Sequence, residues 1–406
     1  MINNLNIKKI IEYFINNYDL STTDPYDMWT LDFGIKTKKI FYDCGISKAF
    51  HRIIILFFLE LTGLITFFTK KREYPIVRGL ATQSTLNLYL YTKKNIYINT
   101  ARNHLLFLPK NYSKGYSGYC WGLNQPWMSK NTFYPEDTPH VTHTPYSLEA
   151  FIRYRKVTSS KEFDNVIRSV FYFLEKDIPV MHNSKDELAV GYSPLPEKYV
   201  VINANSYVMY MYALLMEFYP DKKAYIEDKI LKLYNFIIRN QEPDGSWWYY
   251  VKGAKGNFID CFHSCFIMKN IYKTAQLVDL PDWKKVVEKG YKYLADNFLD
   301  KRIFLVKRFT KTDKFNPVKW DLYDNAEFLN LSILLGKMDI AEKILQAILK
   351  TFVKNEKTVY SQVWIGGIKR YKNTLRWAVM PFIYVLSEYL LRTKNDSENK
   401  KCYMGY

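Results

Sequence analysis

The sequence predicts an all-α fold, an (α/α)6 toroid of five or six helical hairpins. Three observations lead there. Apolar residues recur with helical spacing almost throughout, and strict period-two alternation is nearly absent. The helical stretches come in pairs divided by short polar breaks, at a period of about 55–60 residues, longer than the ~34 to ~47 of common helical solenoids. Within a pair the first helix is apolar all round, as in Tyr207–Met216, and the second is amphipathic, as in Lys222–Arg239. An all-round apolar helix belongs inside and an amphipathic one outside.

In chain order, an N-terminal helical segment occupies 1–75, with a helix near 6–18. Hairpins follow at about 76–93 with 96–109, 144–157 with 161–175, and 203–219 with 222–240. Two more fall at about 258–277 with 282–298 and 320–335 with 338–353. Pro220-Asp221 and Pro281-Asp282 restart helices, and Gly336 with Asp339 divides the last of these pairs. A long helix near 374–393 is free to pair with the N-terminal helix and close the ring. The toroid domain thus spans 76–393, before a polar tail at 394–406.

Composition narrows the partners. The chain has 406 residues, of which 48% are hydrophobic and 24% charged, the balance of a folded soluble protein. Its formal net charge of +18 suits nucleic acid, an anionic membrane or an acidic substrate, or else reflects a Lys-rich solvated surface. The basic runs Thr69-Lys70-Lys71-Arg72 and Lys307-Arg308 are short, and no nucleic-acid-binding signature accompanies them, so nucleic acid is not expected. Five cysteines without a CxxC pair read as free thiols in a reducing, cytoplasmic setting. Cys261, His263 and Cys265 have no second ligand cluster to close a metal site, so neither metal nor cofactor is expected. The apolar run Ile53–Phe68, broken by Glu60 and Gly63, is shorter than the ~20 residues of a membrane span. It reads first as a buried helix and second as an interfacial anchor holding the protein peripherally at the inner membrane face.

In such a ring every inner helix starts at the same face. The segments entering them are Thr142-His143-Thr144, Asn203-Ala204-Asn205, Asp260 to His263, Asp321 to Asp324 and Thr374 to Trp377. Capping explains the Asn, Asp and Thr residues one by one. It leaves His143, His263, Tyr323, Arg376 and Trp377 without a reason to recur just inside successive inner helices. Aromatic loops join them on that side: Tyr116–Trp127 with Trp121, Gly191–Pro194 with Tyr192, and Gln241–Tyr250 with Trp248. Aromatic faces beside amides, carboxylates and a guanidinium suit a sugar, whose C–H faces stack while its hydroxyls take directed hydrogen bonds.

The order of Trp121-Gly122 with Trp127, Tyr192-Ser193-Pro194, Asn203-Ala204-Asn205, Gln241 through Tyr250, Ile259-Asp260 with Phe262-His263, Asp321 and Arg376-Trp377 resembles a family of six-hairpin proteins linked to bacterial or archaeal surface-polysaccharide biosynthesis. The resemblance covers roughly 75–393 and implies a glycosidase-like (α/α)6 fold. Two positions depart from the family pattern: Pro126 replaces an acidic residue, and Tyr323 replaces a histidine. The element Gln241, Asp244, Gly245, Ser246, Trp247 also resembles one of terpene cyclases, but it occurs once and no DxDD acid motif accompanies it.

The first functional expectation is a glycoside hydrolase acting on a surface or capsular polysaccharide. Asp260 and Asp321 would be its two carboxylates, set apart by the ~8–10 Å between neighbouring helices, which fits the ~6.5–9.5 Å of an inverting pair. His263 and Tyr192 would assist, and Asn203, Asn205, His143, Trp121, Trp248, Tyr323, Arg376 and Trp377 would hold the sugar. The second is a uronate lyase or C5-epimerase on an acidic polysaccharide, drawing on Asn205, His263, Tyr192 and Arg376. The third is a glycan-binding toroid with no catalysis.

Overall fold

A computed structural model describes residues 4–130, 132–254, 256–312 and 316–403. The helices are α1 (Asn4–Ile15), α2 (Asp32–Cys44), α3 (Ile46–Thr62), α4 (Pro75–Thr92), α5 (Ile96–Phe107), α6 (Thr144–Thr158) and α7 (Asp164–Lys176). They continue with α8 (Ile202–Leu215), α9 (Lys223–Arg239), α10 (Cys261–Ala275), α11 (Trp283–Asn297), α12 (Leu322–Leu334), α13 (Met338–Phe352) and α14 (Met380–Tyr403). Helices α4, α6, α8, α10, α12 and α14 pack side by side in that order, and α14 returns against α4, so the fold is an (α/α)6 ring.

Burial explains which helix sits where. Every residue of α8 is buried, as is every residue of α4 from Pro75 to Leu88, because these staves touch neighbours on all sides. The outer helices bury one stripe. In α13 it is Ala341, Ile344, Leu345, Ile348 and Phe352, the spacing of a single face. Helix α1 buries Ile7, Ile10, Ile11 and Phe14 and lies along α14 as its outer partner. His104 of α5 fastens it: Arg78 of α4 donates to Nδ1 at 3.0 Å, and Nε2–H donates to the Ile15 carbonyl at 2.8 Å.

The connections are unequal, and that inequality makes the site. Inner-to-outer links on one face are brief turns, such as Lys93 and Ser159 in the left-handed conformation that ends α4 and α6. Outer-to-inner links on the other face are long, and the short strands sit in them. Thr358–Trp364 pairs antiparallel with Lys369–Lys372, Val318–Asp321 and Val353–Asn355. Helical periodicity does not predict these strands; Thr358 to Trp364, rich in β-branched and aromatic residues, is where local composition favours one. Deeper inside the ring, away from these loops, ion pairs bridge the staves: buried Lys269 with Glu327, and half-buried Lys273 with Glu149 at 2.9 Å and Arg153 with Glu388 at 3.0 Å.

Candidate active site

The N-terminal ends of the six inner helices surround a cavity of about 280 Å³. Ile76 comes from α4, His143 and Tyr146 from the start of α6, and Asn203 and Tyr207 from α8. Helix α10 supplies Phe262, His263 and Phe266, α12 supplies Tyr323, and the turn before α14 supplies Arg376 and Trp377. Trp127, Tyr192, Tyr249, His263 and Arg308 also line an outer vestibule of about 880 Å³, so the two spaces adjoin. Their size is that of a small-molecule site with a wide mouth.

Two histidines line the cavity. Asp260 is the N-cap of α10, where its carboxylate accepts from the His263 amide at 3.3 Å. The same carboxylate lies 2.7 and 2.9 Å from His263 Nδ1. A carboxylate only accepts, so the proton of this contact lies on Nδ1 of an imidazole that lines the cavity. His143 is held well below the usual histidine range by burial, reinforced by His140 and Arg376, so it is neutral at neutral pH. Helices α6 and α10 are separated by α8 in the ring, and the two imidazoles enter the cavity from different sides.

Two guanidinium groups add fixed positive charge. Arg376 pairs with Asp24 at 2.6 Å. Arg308 donates to the Tyr26 hydroxyl at 2.7 Å and lies over the faces of Trp377 and Phe262, 5.1 and 5.4 Å from their centroids. Tyrosines continue the wall, with the Tyr146 and Tyr207 hydroxyls 2.9 Å apart. Thr142 donates to the Tyr192 hydroxyl at 3.0 Å, and burial pushes that phenol up to about 12, so it stays protonated. Four lining residues hold a buried polar atom with no hydrogen-bond partner: Asn203 Oδ1, Trp127 Nε1, Arg308 Nε and Arg376 Nε.

Several predicted site residues lie elsewhere. Asp321 and Asp260 are buried behind the cavity wall and do not line it. The Asp321 side chain is fully enclosed; it accepts from Trp377 Nε1 at 3.1 Å, Gln362 Nε2 at 3.0 Å and the Tyr323 amide at 2.9 Å, with Arg308 at 3.4 Å. Both carboxylates meet donors at their own helix starts and turn toward them. Trp121 is completely buried and donates to the Leu108 carbonyl at 3.0 Å, so it packs the ring and offers no stacking face. Trp248 stands outside the cavity wall beside Lys311, whose Nζ lies 5.6 Å from its ring centroid. Asn205 is sealed in, clamping Val190 N–H at 2.8 Å and Val201 C=O at 3.0 Å. Asn203, His143, His263, Tyr192, Tyr323, Arg376 and Trp377 do converge on the cavity.

Sequence reading overlooks Tyr26, Trp29 and Arg308. The first two come from the N-terminal segment, where Asp24 and Arg376 hold the loop over the ring. Arg308 has a visible trace in the Lys307-Arg308 run, but only the fold shows that it turns inward. Tyr146, Tyr207 and Tyr249 lie within or beside motifs the sequence does mark.

No family model and no curated protein matches the chain. Among solved structures it resembles the cellobiose 2-epimerase of Bacillus thermoamylovorans, with a TM-score of 0.62 and 13% identity over 79% of this chain and 88% of that one. It likewise resembles the cellobiose 2-epimerase of Spirochaeta thermophila, at 0.60 and 14% over 80% and 86%. The GH76 α-mannanase of Bacteroides thetaiotaomicron gives 0.58 and 10% over 80% and 88%. At these identities the likeness is one of fold: the chain is an (α/α)6 toroid, the architecture of these neighbours.

Proposed function

We propose that this chain is a carbohydrate-processing enzyme that moves a proton on a carbon next to a sugar carbonyl or carboxylate, an epimerase, isomerase or uronate lyase. The observation that carries the reading is the cavity wall itself: two imidazoles and two guanidinium groups, and, among the described lining residues, no carboxylate in the inner chamber. Abstraction of such a proton needs a base of moderate strength and a cationic partner for the oxygen that gains charge. Neutral His143 is suited to removing the proton, and His263, when protonated and held by the Asp260 carboxylate, to supplying one on the other side, the two exchanging roles in the reverse direction. Arg376 and Arg308 are suited to holding the oxyanion or a uronate carboxylate, with Trp377 and the tyrosines against the sugar ring. The epimerases among the fold neighbours agree with this chemistry.

Two-carboxylate hydrolysis has less support, because Glu197, in the outer vestibule, is the one carboxyl among the described lining residues. The distinguishing experiment is incubation in deuterated water with free reducing sugars and with uronate oligosaccharides, followed by proton NMR. The reading expects loss of a carbon-bound proton signal next to the carbonyl or carboxylate. His263→Ala and His143→Ala should each slow that exchange about a hundredfold or more. New reducing ends without deuterium at carbon would replace it with hydrolysis. Binding with neither change would leave a glycan-binding toroid.

A further inference from the structure

Helices α2 and α3 stand outside the ring of hairpins, and α3 shows two opposed faces. Its inner face is fixed: Ala49, Leu56 and Glu60 are buried, and the Glu60 carboxylate accepts from Tyr371 at 2.5 Å and from Arg370 at 3.2 Å. Its outer face is apolar and open. Phe50, Ile54, Phe58 and Leu61 follow helical spacing and are 58%, 51%, 58% and 52% exposed. The turn after the helix extends the stripe with Phe67 and Phe68, 82% and 61% exposed. Monomeric soluble proteins seldom show so continuous an apolar surface without using it.

The surroundings indicate what covers it. Between 33 and 72 the chain has eight Lys or Arg against two acidic residues, and one of those two, Glu60, is buried. Lys36 and Lys39 of α2 are exposed, as are Lys48 near the start of α3 and Lys70 and Lys71 just after the turn that follows it. A second copy seated on this face would bring basic margins against basic margins, an arrangement that opposes a symmetric dimer. An anionic lipid surface satisfies both features, taking the phenyl and aliphatic groups below the headgroups and the ammonium groups among them. Spanning is ruled out by length: 17 residues of helix reach about 25 Å, short of the ~30 Å hydrocarbon core, and no described helix is long and apolar enough to cross a membrane.

We infer that the outer face of α3 and the turn Leu64–Phe67 form an interfacial docking surface for an anionic lipid bilayer. The neighbouring segment borders the site: Lys38 and Phe41 of α2 and Ile46 at the start of α3 line the vestibule, while Trp29 and Lys38 line the inner cavity. Docking therefore brings the mouth of the cavity close to the membrane surface. This inference stands on the exposed face and its charges and does not depend on the reaction proposed above.

The test is co-sedimentation of the full chain with vesicles of equimolar phosphatidylglycerol and phosphatidylcholine, beside vesicles of phosphatidylcholine alone. The protein should sediment with the anionic vesicles and be partly released by salt. Ile54→Ser/Phe58→Ser/Phe67→Ser should lower partitioning about a hundredfold, and Lys48→Glu/Lys70→Glu/Lys71→Glu about tenfold or more, with the thermal midpoint of each variant near that of the parent. Failure of the parent protein to bind either vesicle would overturn the inference, as would binding that the serine variant retains. A dimer in analytical ultracentrifugation that the serine variant abolishes, without vesicle binding, would assign the face to a second copy instead.

Discussion

Glu197 offers the sharpest quantitative check on the vestibule. Its carboxylate takes hydrogen bonds from the Tyr134 hydroxyl at 2.9 Å, the Tyr192 amide at 3.2 Å and the Ser193 hydroxyl at 3.3 Å. Burial outweighs those bonds and pushes the carboxyl from the ordinary 4.5 up to about 7. Between these values the folded state binds more protons than the unfolded one, so stability falls as pH rises through that window. Below about 4.5 both states are protonated and the contribution is intact. Above about 7 the full cost applies, about 3 kcal/mol at ~1.4 kcal/mol per pKa unit, and nearer 2 once partial solvent access is allowed for. Glu197→Gln removes the titration. The amide cannot accept at both oxygen positions, so it loses about 1 kcal/mol at every pH, an offset that cancels when two pH values are compared. Urea titrations of parent and variant at pH near 4.5 and near 8, read by tryptophan fluorescence with matching m-values, give the difference. Relative to the parent, the variant should gain about 2–3 kcal/mol between the acidic and the basic condition. His104 and His140, pushed down by burial to about 4 and about 3, make both proteins lose stability as pH falls through the unfolded histidine range, and drop out of the comparison. A gain independent of pH would refute the buried, protonated Glu197.

Three further outcomes separate structural from functional side chains. Asn205→Ala should destabilise the fold by about 1–3 kcal/mol in thermal or urea melts, since it leaves the buried Val190 N–H unpaired; Asn203→Ala, two residues earlier, should leave stability near the parent value and weaken saccharide binding in calorimetry. Trp121→Ala should cost about 3–5 kcal/mol in a urea titration, as a packed indole would, and a cost under ~1 kcal/mol would restore its place as a surface platform. Gly79→Ala would set a methyl 2.7 Å from the Tyr146 carbonyl oxygen where α4 crosses α6; a loss of about 1–3 kcal/mol is expected, read as a lower thermal midpoint.

The ring was legible because its signal is local and repeated. A stave such as α8 must be apolar on every side, an outer helix such as α13 on one, and the two patterns alternate along the chain. The face carrying the site was legible for the same reason, since parallel inner helices begin together. Contributions from outside the periodic part were not. Tyr26 reaches Arg308 across 282 residues of sequence, and no spacing rule links an N-terminal loop to a bend between two short strands that far away. Trp121 and Trp377 look alike in sequence, yet one is sealed in the wall and the other faces the cavity, because aromatic content does not tell packing from stacking.

Asp260 shows most clearly where reasoning from residue type reaches its limit. A carboxylate at the start of an inner helix is equally consistent with a catalytic acid and with a cap, and the sequence holds no information on which way it turns. Free amide groups at a helix start lie within reach of the N-cap side chain and cost no loop rearrangement to satisfy. Here the carboxylate has a third partner. His263 sits three residues on, one helical turn above, where its Nδ1 meets the same carboxylate. The cap thereby also holds the imidazole, by its Nδ1, at the cavity wall. Under the proposed reaction Asp260 is a positioning residue. Asp260→Asn, itself a competent cap, should then keep the helix and slow proton exchange about tenfold or more, whereas Asp260→Ala should add a stability loss of about 1 kcal/mol. Deuterium exchange measured beside thermal melts reads the two effects separately. Unchanged exchange in the Asn variant would show that His263 does not depend on its carboxylate.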